Sequence, residues 1–202
     1  MDVRFWGTRG SLPASLNAGD VRAKIRNALE KAIEHGLGPE SDLDGFMDRH
    51  LRFSDRGTYG TNTSCMEIRD GDAFLICDAG SGLRDFGNHV MQLENDERPK
   101  AFHVVLSHLH WDHIQGFPFF TPALVRGNRI TFYGCHPDLE KAFAVQQSDP
   151  FFPLRFCDIG ADIRFQTLEP DREVEIAGFG VLIAVAADAM PTGAGNMLRG
   201  ML

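Results

Sequence analysis

Apolar and polar positions alternate through Val3-Arg4-Phe5-Trp6, which predicts an opening strand that stops at Gly7. The pattern then changes period. Val21, Ile25, Leu29 and Ile33 recur every four residues, with Arg22, Lys24, Arg26, Glu30 and Lys31 between them, and this predicts an amphipathic helix. Asn17 or Asp20 can cap its start, and Gly36 and Gly38 stop it. A second short helix, Ser41 to Leu51, presents Leu43, Phe46, Met47 and Leu51. Cys65 to Arg69 and Ala73 to Cys77 read as two strands joined at Asp70-Gly71, a strong hairpin signal. Ser81 to Glu94 reads as a helix carrying Leu83, Phe86, Val90, Met91 and Leu93. Ala101 to Leu106 is a short apolar run that reads as a buried strand. Further on, Arg129 to Gly134 is a strand, Pro137 to Gln147 a helix with Pro in its first turn, and Ile163 to Leu168 a strand. Val174 to Ile176 and Val181 to Val185 form a last hairpin around Gly178.

Directly after the buried strand comes Ser107-His108-Leu109-His110-Trp111-Asp112-His113, followed by Gly116 and Pro118, which break regular structure. The donors therefore sit on a loop at the end of a core strand, where a rigid scaffold can present them to solvent. Imidazole and carboxylate suit zinc and its first-row neighbours. Alternate residues of an extended stretch share a side. His108 and His110 are thus expected to converge on one ion, and Asp112 and His113, past the turn, on a second, with the ions roughly 3.5–4 Å apart. Gly80-x-Gly82 does not make a dinucleotide fingerprint, which needs GxGxxG opening a helix in a βαβ unit. His50 and His89 read as surface residues and His103 as a strand histidine without a ligand role. Phe117 to Pro122 supplies an apolar wall that, with Trp111, either lines a pocket for a base or aryl group or is ordinary packing.

Composition narrows the setting. The chain has 202 residues, 43% apolar and 24% charged, as expected for one globular domain with a sizeable core. Its net charge of −8 argues against broad electrostatic attraction to nucleic acid or an anionic membrane. Cys65, Cys77, Cys135 and Cys157 have no CxxC spacing, and the first twenty residues have no long apolar run. Reduced thiols in a cytoplasmic protein are the expectation, with no signal peptide and no membrane span.

His108-x-His110-x-Asp112-His113 at the end of an apolar strand resembles the signature of the metallo-β-lactamase-fold hydrolases. Phe5-Trp6-Gly7-Thr8-Arg9-Gly10-Ser11, Tyr59-Gly60-Thr61-Asn62-Thr63-Ser64-Cys65 and Asp78-Ala79-Gly80-Ser81-Gly82-Leu83-Arg84 resemble the branch of ribonuclease-Z-like and cyclic-phosphate phosphodiesterase-like proteins. The resemblance implies an α/β (α+β) fold, the αββα sandwich, in a single domain over 1–202. A helical insertion over 17–53 interrupts the pattern and reads as a structural hairpin covering one sheet edge more than as a lid. The resemblance also implies two divalent ions, zinc first, with manganese or iron as alternatives, on His108, His110, Asp112 and His113. Asp112 would orient a metal-activated hydroxide for attack on a small-molecule or nucleotide phosphodiester. Arg9 and Asn62 are candidate substrate contacts, and the Gly7–Ser11 loop is either a contact or a plain turn. Asp78 either orients a ligand histidine from behind or makes a local turn onto Gly80.

The pattern breaks near the C-terminus. The family has a further His in a His-Pro-Gly-Gly-like run after the last hairpin strand. This chain reads Ala189-Met190-Pro191-Thr192-Gly193, with Met190 in the place of that His. From Gly178 onward the charged residues are Asp188 and Arg199 alone. The expectation is a fold whose first half is complete and whose second is partial, ending in an atypical tail over 186–202. Asp188 is a stand-in donor on that reading. A partly uncovered core would favour a homodimer. A catalytically impaired metal-binding remnant or interaction module, or a thioesterase or lactonase on the same fold, are the alternatives.

Overall fold

The computed structural model describes residues 1–71, 73–185 and 196–198. Asp188 and Met190 lie outside the described residues. The chain forms two compact units, residues 1–13 with 62–202, and residues 14–61.

The first unit is built on a six-stranded mixed sheet. Its elements are β1 (Asp2–Gly7), followed after the second unit by β2 (Cys65–Asp70) and β3 (Ala73–Cys77). A helix covers Gly82–Gln92, then come β4 (Ala101–Val105), a helical turn at Trp111–Ile114 and β5 (Arg129–Gly134). A helix at Leu139–Gln146 precedes β6 (Asp162–Thr167). The strands lie in sequence order, β1-β2-β3-β4-β5-β6. β1, β2 and β3 are antiparallel neighbours, and β3, β4, β5 and β6 join in parallel. The hairpin expected at Asp70-Gly71 is present, with Asp70 opposite Ala73 and Gly71 at φ 57°, a left-handed conformation that glycine adopts without steric cost. Parallel strands need crossovers, which explains the helices between β3 and β4 and between β5 and β6.

The two faces of the sheet bury different residues, as a period of two requires. Ile76, Phe102, Val104, Ile130 and Phe132 face one core, joined by Leu83, Phe86 and Val90 of the first crossover helix and Leu139 and Phe143 of the second. Leu75, Cys77, Val105 and Tyr133 face the other. That face meets a second sheet of β7 (Glu173–Ile176), β8 (Phe179–Val185) and β9 (Asn196–Leu198), through Ile176, Phe179 and Val181. The β7–β8 turn holds both Ala177 and Gly178 at positive φ, 53° and 86°, the twist a two-residue hairpin favours. Helices, sheet and second sheet thus stack in the mixed α/β order expected from the sequence.

The second unit carries three helices: α1 (Ala18–Glu34), α2 (Leu43–His50) and α3 (Phe53–Arg56). We number the remaining helices α4 (Gly82–Gln92), α5 (Trp111–Ile114) and α6 (Leu139–Gln146). A reciprocal capping box starts α1: the Asn17 side chain accepts from the Asp20 N–H at 3.0 Å, and the Asp20 carboxylate accepts from the Asn17 N–H at 3.1 Å. One side of α1 is tied to the segment around α3. Lys24 Nζ donates to the Ser54 and Gly57 carbonyls, and Asn27 donates to Asp55 at 3.0 Å. The apolar stripe Val21, Ile25, Leu29 and Ile33 is exposed. Among the described residues, no helix is long and apolar enough to cross a membrane.

The thiols divide by burial. Cys65 and Cys77 are buried, Cys135 half-buried and Cys157 exposed. Burial, reinforced by the Asp78 charge, holds the Cys65 thiol well above its ordinary pKa and pushes Cys77 up to about 12. A thiol alkylating agent at pH 8 should modify Cys157 first and leave Cys65 and Cys77 unmodified until denaturant is added. Peptide mass spectrometry reads this directly, and early labelling of Cys65 would contradict the packing described.

Candidate metal centre

The loop after β4 is held from beneath by backbone hydrogen bonds to the loop after β3. Asp78 N–H donates to Val105 O at 2.8 Å, Ala79 N–H to His113 O at 2.8 Å, and Gly116 N–H to Ala79 O at 2.9 Å. This contact is close because both partners are glycine. A Cβ on Gly116 would stand 1.9 Å from Gly80 O, and a Cβ on Gly80 would stand 2.3 Å from Asp112 O. Ends of two neighbouring parallel strands are thereby locked into one platform.

On it, α5 winds Asp112 and His113 into a helical turn, with His110 as the residue before it in extended conformation. The turn expected between His110 and Asp112 is therefore present. His108, Asp112 and His113 come together, with one donor atom from each lying within 4.8 Å of the others. The His108 and His113 rings are 4.0 Å apart between centroids. His110 is exposed, its ring 4.5 Å from that of His108. Among the described residues, the His108, Asp112 and His113 group is the one whose donors lie close enough to hold a single ion.

Asp78 accounts for the orientation. It sits at φ 64°, a left-handed conformation that Asp tolerates better than most residues. Its Oδ1 accepts from the Ser107 N–H at 2.9 Å and from Ser107 Oγ at 2.8 Å. Its Oδ2 accepts from Ser64 Oγ at 2.9 Å and lies 2.8 Å from His113 Nδ1. A carboxylate at that nitrogen fixes the proton on His113 Nδ1 and leaves the Nε2 lone pair outward, 3.3 Å from Asp112 Oδ2. Ser107 Oγ, already donating to Asp78, lies 3.1 Å from His108 Nδ1 and can accept its proton, so the outward nitrogen of His108 is Nε2 as well. Of the two readings of Asp78, the carboxylate goes to Ser64, Ser107 and His113, while the Gly80 N–H donates to Ser64 O.

Asp112 is tied to the first loop of the chain, where the Ser11 N–H donates to Asp112 Oδ2 at 2.8 Å. Burial works against the Asp112 charge, but the Ser11 amide and the neighbouring His113 outweigh it and leave the carboxyl below its ordinary pKa. Burial also opposes a charged His113, yet the Asp78 hydrogen bond and charge raise its pKa. For His108 burial prevails, helped by His113 and His110, and the pKa falls. Ser11 and Ser107 were not singled out from the sequence. Ser107 adjoins His108, and Ser11 lies two residues past Arg9, but the Ser11 contribution is a backbone N–H, which has no side-chain signal.

The remaining sequence candidates fall outside the three-donor group. The Arg9 N–H donates to Asn62 O at 2.9 Å, stitching the Gly7–Ser11 loop to the 58–64 loop. The Asn62 side chain donates to Asp85 at 2.6 Å and to Trp6 O at 3.3 Å, and accepts from Ser81 at 3.1 Å, so it is committed within the fold. His103 Nδ1 lies 2.9 Å from the Tyr133 hydroxyl, and His89 packs against the Trp6 ring. His50, exposed as expected, stacks on Phe46. The apolar wall divides: Phe117 and Phe120 enter the core, whereas Trp111, with Leu109 and Ile114, lines a cavity of about 550 Å³ against Ala142, Val145 and Phe151.

The profile of the family described as "Beta-lactamase superfamily domain" matches residues 74–196, more than half of the chain, and takes in both Asp78 and the donor loop. The chain belongs to the beta-lactamase superfamily. Solved structures similar to it include the metallo-beta-lactamase fold protein YhfI from Bacillus subtilis, with 21% identity over 62% of this chain and 46% of that one, TM-score 0.42. Another is MEM-A1, a subclass B3 metallo-beta-lactamase from a soil metagenome library, with 16% identity over 66% and 50%, TM-score 0.40. A third is a metallo-beta-lactamase from Cronobacter sakazakii, with 15% identity over 67% and 48%, TM-score 0.39. The chain spans about half the length of these structures. No curated protein matches it. Two imidazoles and a carboxylate fit the divalent ions that a superfamily centre takes, because three protein donors leave a position open, as catalytic zinc sites do.

Replacing Asp78 with Asn removes the charge and leaves one acceptor oxygen where Ser107 and His113 use two, which weakens the hold on the His113 tautomer. Metal affinity should fall by about 10–100-fold, as for other partners of ligand histidines. Competition with a chromogenic chelator measures this, and unchanged affinity would mean that His113 does not ligate through Nε2.

Proposed function

We propose that the chain is a metal-dependent hydrolase that acts on phosphodiester bonds, of a small molecule or a nucleotide. The observation that carries the reading is the convergence of His108, Asp112 and His113 at a strand end, with Asp78 behind His113. His108 and His113 offer Nε2 and Asp112 its carboxylate, while His110, exposed beside His108, is available to a second ion. A divalent cation held there, zinc or else manganese or iron, supplies Lewis acidity to polarise an attacking water and a substrate oxygen.

The protein's own groups do the rest. Asp78 keeps His113 in one tautomer. The Ser11 N–H keeps Asp112 ionised and pointed inward, so that its carboxylate can accept a proton from the attacking water. The phosphodiester preference rests on the resemblance of the Phe5–Ser11, Tyr59–Cys65 and Asp78–Arg84 blocks to the phosphodiesterase branch. It is supported by the fact that the first block reaches the centre, through Ser11 on Asp112. Arg9, in the same loop, is the side chain we assign to a substrate phosphate.

The test is turnover of an aryl phosphodiester and of an aryl thioester with added Zn²⁺ or Mn²⁺. Release of aryl phosphate above the metal blank is the expected result. Turnover of the thioester alone would replace the phosphodiester assignment, and no turnover of either would overturn the hydrolase reading.

A further inference from the structure

We propose that α1 is a self-association surface, and that a second copy of this chain binds it as an antiparallel helix pair about a two-fold axis. The helix has 17 residues and so runs for about 26 Å. Its stripe is open: Val21 is 43% exposed, Ile25 55%, Leu29 59% and Ile33 80%. With Leu16, these four side chains line a groove of about 800 Å³. The side of α1 that carries Lys24 and Asn27 is already bound to Ser54, Asp55 and Gly57, so the stripe is a separate face.

Charge identifies the occupant. At 100° per residue, Arg22, Arg26, Glu30 and Glu34 follow one another along the same flank of the stripe. The first half of that flank is basic and the second half acidic. An antiparallel copy brings Arg22 opposite Glu34 and Arg26 opposite Glu30, twice by symmetry. The same register sets Val21 against Ile33 and Ile25 against Leu29. A parallel copy would set this flank against the opposite one, where Lys24, Ala28 and Ala32 offer Arg22 and Arg26 no opposite charge. Glu34 is held by Lys31 at 2.6 Å within the same helix, but both side chains are about half-exposed and free to exchange partners. A partner of uniform charge would satisfy only half of this flank, whereas a second copy satisfies all of it.

The test uses full-length chains and sedimentation velocity over a concentration series. The wild type should show a concentration-dependent dimer. Arg22→Glu with Arg26→Glu makes the flank wholly acidic, and Glu30→Arg with Glu34→Arg makes it wholly basic. Each double variant alone should dimerise at least about tenfold more weakly, and an equimolar mixture of the two should restore the dimer. Unchanged circular dichroism separates this from misfolding, since all four residues are on the surface. Monomers at every concentration, or a mixture no better than its components, would overturn the proposal. Association of Ile25→Glu as tight as wild type would place the interface elsewhere.

Discussion

Replacing His113 or Asp112 with Ala should lower kcat/KM by on the order of 10³-fold or more, with bound metal lost in parallel. The size follows from what leaves with the ion: Lewis-acid stabilisation of several kcal/mol, at about 1.4 kcal/mol per tenfold in rate. The fold should survive. His113 is one of three partners of the Asp78 carboxylate, and the Ser64 and Ser107 hydrogen bonds remain. Leaving part of a buried carboxylate without its partner costs about 1–3 kcal/mol, which a cooperative thermal transition would report as a modest fall in Tm. His110→Ala discriminates within the loop. Its ring lies outside the three-donor group, so the loss should be smaller than at His113. An equal loss at all positions would mean that His110 joins the centre when metal binds.

Gly116→Ala is expected to destabilise the protein by about 3 kcal/mol or more, without touching any donor side chain. The new methyl would meet the Gly80 carbonyl oxygen at 1.9 Å, and Ala79 O at 3.0 Å, where no flexible side chain can yield. Relief requires the loop after β4 to lift from the loop after β3, which breaks the Gly116 to Ala79 and Ala79 to His113 backbone hydrogen bonds. Overpacking at a backbone contact belongs to the severe class of substitutions. The same lifting moves His113 away from Asp78, so metal affinity should fall together with stability. Chemical denaturation with and without added zinc measures both effects. Retained metal affinity in a destabilised variant would show that the platform and the centre are independent.

The strands and most helices were legible in the sequence because each is a local pattern. The Asp70-Gly71 and Gly178 hairpins, the alternation of Phe102 and Val104 against Val105, and the apolar rows of α4 and α1 all follow from spacing within a few residues. The donor cluster was legible for the same reason, since the residues from His108 to His113 are adjacent. The approach of His108 to Asp112 and His113 was not. A turn before Asp112 was expected, but not that Trp111–Ile114 coils so that both donors come beside His108. That turn is fixed by hydrogen bonds to the loop after β3, some thirty residues away, which no local pattern encodes. The same limit explains Ser11. Its contribution to Asp112 is a backbone N–H brought across a sequence separation of 101 residues. The apolar stripe of α1 was recognised correctly as a helix face, yet periodicity says only that a face is apolar, not what covers it.

The most direct test of the account is metal content per chain, by elemental analysis after exhaustive dialysis, for the wild type beside His113→Ala. The account predicts metal retained by the wild type and lost from the variant, with both chains folded. A wild type that holds no metal, or a variant that holds as much as the wild type, would contradict a centre built on His108, Asp112 and His113.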